Sequence, residues 1–149
     1  MAQPGTLKFG KMKVEIGDGA AVEVFAAPCG FTEKSFTRSK SLNEVSIPDC
    51  VDPDAAVVIA RDVASISFAV SGQGVLAAES VATWDAFFAS TSSRNVKVTL
   101  EFDAPTGTIT YIGKMHLENF EITGSIGNRV AANISMQSDG VLTRNPALP

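Results

Sequence analysis

The single histidine, His116, is the side chain best suited to moving a proton near neutral pH, and the nearest acid, Glu118, is two positions away. Nucleophilic chemistry needs a base that is oriented by a second group and reaches a nucleophile, whereas His116 sits inside a strand-like run with no nucleophile motif beside it. It reads as a surface or interface histidine. Cys29 and Cys50 offer no C-x-x-C or H-x-x-x-H spacing, so zinc is unsupported, and two isolated thiols without a secretory leader are expected to be free and buried. Asp49, Asp52 and Asp54 supply carboxylate oxygens, but their loop lacks the glycine and the terminal glutamate of an EF-hand and reads as a solvated acidic turn. Gly72-x-Gly74-x-x-Ala77 has the local context of a dinucleotide-binding turn, after a strand and before a helix. The neighbouring strands exclude it, because a parallel sheet covered on both faces needs near-continuous apolar runs, and these strands each keep a polar side. No catalytic residue, metal or cofactor is expected, and the chain reads as something other than an enzyme.

The elements around these residues point the same way. With 149 residues, 45% of them hydrophobic and 19% charged, the chain fits one globular domain, residues 1–149, with loose ends at 1–7 and 145–149. A net charge of −4 argues against a surface built to neutralise phosphates. The apolar run Ala55 to Ala60 is too short to span a bilayer, so no membrane insertion is expected.

Period-two alternation predicts strands over Lys11 to Ile16, Ala21 to Phe25, Leu42 to Ile47 and Asp62 to Ser71, and Phe31 to Arg38, which alternates poorly, is expected to be a bulged or irregular strand. The prolines and aspartates of Pro48 to Asp54 predict a loop, and Gly72-Gln73-Gly74 predicts a strand end. Between Val75 and Thr91 the period changes to that of a helix, whose stripe of Val81, Trp84 and Phe88 is expected to plug the sheet as a helix-on-sheet core. Val96 to Asp103 alternates, and Thr108 to Lys114, Met115 to Thr123 and Val130 to Gln137 follow, the last closed by Ser138-Asp139-Gly140, with a short return at Val141 to Thr143. Roughly eight strands and one helix imply a mainly β fold, an antiparallel sandwich or barrel with one α-helix packed on it.

The order of these features resembles the major tail tube protein of siphophages of the lambda-like branch. The features that carry it are the segment Leu42-Asn43-Glu44-Val45-Ser46-Ile47-Pro48-Asp49-Cys50, the strand Asp62 to Ser71, Gly72-Gln73-Gly74 and the Trp84 helix. The resemblance covers nearly the whole chain. It implies a tail tube fold and a structural subunit of the virion tail, assembled in the host cytoplasm. Such subunits form stacked hexameric rings around a conduit for DNA, which passes through without specific binding. The implied partners are further copies of the chain and other tail proteins at the tube ends. It also implies an inter-ring contact formed by Leu42, Asn43, Glu44, Val45, Ile47, Pro48, Asp49, Val51, Asp52 and Asp54.

Elementary arguments reach a compatible expectation. Open sheets have edges that invite pairing, and none of the predicted edge strands shows obvious inward-pointing charges. A heterologous contact that closes gives a ring, and one that does not gives a filament. An acidic conduit also repels a polyanion from its wall. The alternative is a monomeric small β-barrel that binds an apolar small ligand.

Overall fold

Alternation over long stretches lets this chain run in strands that far exceed the usual length, and they form a single sheet. The computed structural model describes residues 3–148. Its elements are β1 (Met12–Gly17), β2 (Phe25–Ala26), β3 (Phe31–Ile47), β4 (Val58–Val75), α1 (Ala78–Ala89), β5 (Arg94–Glu101), β6 (Thr108–Thr123) and β7 (Ala131–Asn145). The seven strands lie in the order β2-β1-β5-β6-β7-β4-β3, with every neighbouring pair antiparallel.

The sheet curls until strands that are not ladder neighbours meet across its concave side. Phe36 of edge strand β3 packs on Tyr111 of β6 with centroids 5.3 Å apart, and Lys34 Nζ donates to the Met12 carbonyl of β1 at 3.0 Å. Ile16, Phe68, Val70, Val96, Val98, Met115, Leu117, Ile134 and Met136 fill the interior. The helix closes it, with Trp84 wedged between Phe31, edge-on at 5.7 Å, and Phe120, stacked at 6.1 Å. This is the expected mainly β fold with one packed helix.

Several boundaries differ from the sequence pattern, for reasons visible in the backbone. Ala21 to Phe25 contributes only Phe25–Ala26 to a strand, because the Asp18 carboxylate accepts the N–H groups of Ala20 and Val24 and holds the preceding residues in a turn. Phe31 to Arg38 and Leu42 to Ile47 are one strand, with register shifts after Phe31 and after Ser41. Gly72-Gln73-Gly74 does not end β4. Gly74 lies inside the ladder, where a Cβ would strike the backbone of Gly30, Phe31 and Thr32, so the glycine marks a close approach and not a turn. Ser138-Asp139-Gly140 likewise sits within β7, at an irregularity beside Gly113 and Met115 of β6.

Helix α1 turns a different face inward from the one predicted. Trp84 is buried, but Phe88 is 58% exposed and Val81 only half-buried, while Ser80 and Phe87 point into the core. The stripe is displaced by one residue because the Ser80 hydroxyl accepts the Cys29 N–H at 3.1 Å and fixes that side of the helix against the strand-linking segment. Cys29 and Cys50 are free, but both are exposed where burial was expected. Residues 1, 2 and 149 of the loose ends lie outside the described residues, and Asn145 is a paired residue of β7.

Candidate assembly surfaces

The segment Leu42 to Asp54 is not one loop. Leu42 to Ile47 is the far end of β3, paired rung by rung with Val58 to Val63 of β4, and only residues 48–57 form the tip. The two strands thus leave the sheet together as a β-ribbon arm. The reason is that an extended, alternating chain satisfies its backbone groups best by pairing, and Val58 to Val63 supplies the complementary strand. Glu44 and Arg61 face each other across the ribbon, with Oε1 and Nη2 3.2 Å apart.

At the tip, the aspartates hold the turn together. Asp49 Oδ1 accepts the N–H of Val51 at 2.8 Å and of Asp52 at 3.3 Å, and Asp52 Oδ1 accepts the N–H of Asp54 at 3.2 Å. No group of three or more acidic, histidine or cysteine residues placed to hold a metal ion exists among the described residues. Pro48 and Pro53 flank the turn.

The arm is apolar on both faces. Val45, Ile47, Ala60 and Val58 share one side by register, and Leu42, Val63 and Ile59 share the other. Val51 at the tip is 94% exposed. A lone two-stranded ribbon is marginal in water, and apolar side chains that its own fold leaves uncovered signal a contact surface. Burying these residues, now about half-exposed, is worth on the order of 1 kcal/mol each.

A second surface lies on the convex side of β3, β4, β7 and the end of β6. Ladder partners there are Glu33 and Gln73, Ser35 and Ser71, Thr37 and Ala69, Ser39 and Ser67. Toward β6 the same face continues through Gln137, Ser135 and Asn133 to His116, Asn119 and Glu121. It carries no lysine or arginine. The other half of the convex side is different, because Lys13, Glu15, Lys97, Glu101 and Lys114 all stand on it. There Glu101 accepts a hydrogen bond from Lys13 Nζ at 2.8 Å, which holds its carboxyl below the usual carboxylate range and pushes the Lys13 ammonium up. His116 Nε2 lies 3.3 Å from Asp139 Oδ2, at the margin of the cation-free face.

The third feature went unread in the sequence. Edge strand β3 does carry inward-pointing charges: Lys34, Arg38 and Lys40 share the core-facing side with Phe36. Their period-two spacing was a readable signal. Burial lowers the Lys34 ammonium from its ordinary value.

The crevice lined by Val14, Phe31, Val70, Trp84 and Ile134 holds about 10 Å³, too little for an apolar ligand, since ligand pockets run to roughly 300 Å³ or more. The larger hollows, about 400 Å³ beside Lys34, Phe36, Arg38 and Tyr111 and about 350 Å³ beside Arg38, Ile66 and Phe68, are each lined by a cation. Among the described residues no helix is long and apolar enough to cross a membrane.

Comparison with known proteins follows the same geometry. No curated protein matches the sequence. The fold is similar to that of a subunit in the tail of an empty gene transfer agent particle of C6 symmetry, with 14% identity, a TM-score of 0.71, and coverage of 93% of this chain and 98% of that one. It is also similar to the SPP1 tail tube, with 12% identity, a TM-score of 0.58 and coverage of 97% and 81%. A sheath/tube terminator of an extracellular contractile injection system gives 12% identity, a TM-score of 0.63 and coverage of 97% and 99%. The sequence itself matches the phage tail tube protein family over residues 7–144. With that pattern spanning the curled sheet, the helix and the arm alike, the chain belongs to the phage tail tube protein family and is a structural tail tube subunit.

Proposed function

We propose that copies of this chain form six-membered rings that stack into a hollow tube, that the arm spanning Leu42 to Val63 bridges one ring to the next, and that viral DNA passes along the cation-free face. The observation that carries the reading is the arm: a paired ribbon, apolar on both sides, that no other part of the described residues covers. The C6 symmetry of the related gene transfer agent tail supports the ring size. A wall of Ser, Thr, Asn and Gln with Glu33 and Glu121 offers a polyanion neither counterion-releasing cations nor a sticky apolar surface. The chain acts by assembly, without catalysis, and its other partners are the proteins that start and end the tube.

The test removes the arm at its root. Replacing Leu42 to Ala64 by a two-residue Asn-Gly turn leaves the Ser41–Ser65 rung to close a short hairpin. The expected product is a folded subunit by circular dichroism that forms no tubes under negative-stain microscopy, beside a full-length chain that does. Normal tubes from the armless protein would refute the bridging role.

A further inference from the structure

Among the charges that lack an oppositely charged side-chain partner in the described residues, two sets lie at opposite ends of the arm beside uncovered apolar side chains. The ion pairs among the described residues join Lys11 and Lys13 to Glu101 and Arg61 to Glu44, and His116 lies beside Asp139. Asp49, Asp52 and Asp54 at the arm tip are outside all of these pairs, with Asp49 and Asp52 bonding only to backbone N–H groups of their own turn. Arg38 and Lys40 at the arm root are outside them too.

The root cations line an open groove. Arg38, Ile66, Phe68, Val141 and Leu142 bound about 350 Å³, and the groove continues past Lys40. The Arg38 guanidinium is set in place by stacking over Tyr111 at 5.0 Å and Phe36 at 5.7 Å. Ile66 is 69% exposed and Val141 is 85% exposed, so the groove pairs uncovered apolar surface with positive charge. The tip has the complementary composition, three carboxylates around the fully protruding Val51.

The chain cannot satisfy this complementarity within itself. Between Lys40 and the tip the arm is an extended ribbon, and at about 3.3 Å per residue it holds the two sets roughly 25 Å apart. We propose that the Asp49 to Asp54 tip of one copy seats in the Arg38–Lys40 groove of a second copy, with Val51 against Ile66 and Val141 and the carboxylates on the two cations. The proposal rests on the tube-subunit reading above and names the receiving surface. The contact is heterologous, so each added copy presents a new groove and a new tip and the series does not close. Arg38, planar and already stacked, is suited to a two-point bond with a carboxylate.

Charge reversal tests it. Lys40→Glu alone and Arg38→Glu with Lys40→Glu reverse the groove; Asp49→Lys, Asp52→Lys and Asp54→Lys together reverse the tip. All are checked for folding by thermal melting, and tubes are measured by pelleting and microscopy. Each reversal is expected to cut pelletable tube at least about tenfold, the consequence of losing about 1.4 kcal/mol at each contact. One chain carrying both reversals is expected to regain tubes. Zero-length carbodiimide crosslinking of wild-type tubes should also join Lys40 to Asp49, Asp52 or Asp54, and should not do so in dissociated subunits. Reversed variants that fold and assemble normally, a combined variant that folds without regaining tubes, or wild-type tubes without that crosslink would each overturn the proposal. A wild-type chain that forms no tubes in any salt would instead sink the tube-subunit reading, and this proposal with it.

Discussion

The indole of Trp84 lies nearly flat on the ring of Phe120, with centroids 6.1 Å apart and planes inclined by 25°. One contact thereby joins the only α-helix among the described residues to the central strand β6. Trp84→Ala is expected to destabilise the subunit by about 3–5 kcal/mol, as loss of a large buried aromatic does. Phe88→Ala, on the exposed side of the same helix, should stay within about 0.5 kcal/mol of wild type. Urea denaturation of both variants checks the pair, and equal losses would contradict the face assigned to α1.

Gly74 lies where β4 meets the start of β3 at backbone distance. Gly74→Ala should cost about 3 kcal/mol, the upper end for overpacking, because the atoms in the way are backbone and cannot rotate aside. A shift in the melting midpoint measures it.

Acid should weaken the subunit partly through Glu101. Its carboxyl is held below the ordinary 4.5, first by the Lys13 hydrogen bond, so the folded form releases this proton more readily than the unfolded one. The pair's contribution is complete above 4.5 and is lost as pH falls through the lower folded value. Glu101→Gln should therefore flatten part of the acid limb of a stability profile and leave the wild-type difference constant above pH ~6. The raised Lys13 value puts its own loss on the alkaline side, as pH rises through it.

Ser71 stands on the cation-free face, exposed, beside Ser35 and Ser135. Ser71→Lys should leave folding within about 0.5 kcal/mol and leave tubes intact, yet make them retain short DNA in a salt-dependent way that wild-type tubes do not. A filter-retention assay across a salt series decides it, and unchanged retention would place this face away from the lumen.

Sequence pattern alone carried the alternation of β5, because Val96, Val98 and Leu100 face the core while Lys97 and Glu101 stand on the other side, though the strand starts and ends two residues earlier than the pattern. It found the arm tip as well, from Pro48, Pro53 and the aspartates. It missed the arm as a ribbon, since the pairing partner of Leu42 to Ile47 lies beyond the tip and alternation within one strand is silent about which strand it meets. The helix face slipped by one residue because Phe87 and Phe88 are both aromatic, and the choice falls to the hydrogen bond from the Cys29 backbone to Ser80, a contact distant in sequence. The groove at Arg38 and Lys40 escaped notice for a related reason: alternation marks which residues share a face, and curvature alone reveals that the far end of that face is left uncovered.

The arm's construction bears on how the assembly carries load. In the proposed tube, tension applied to a tip is shared by the two legs of the ribbon, both already extended and rooted in the sheet, while the rungs from Ser41–Ser65 to Ile47–Val58 hold the legs side by side. A flexible loop of the same length would extend entropically before it resisted at all. A ribbon resists from the first ångström, which makes each inter-ring tie a stiff tendon and lets the tube transmit a pull or a twist at one end to the other without stretching.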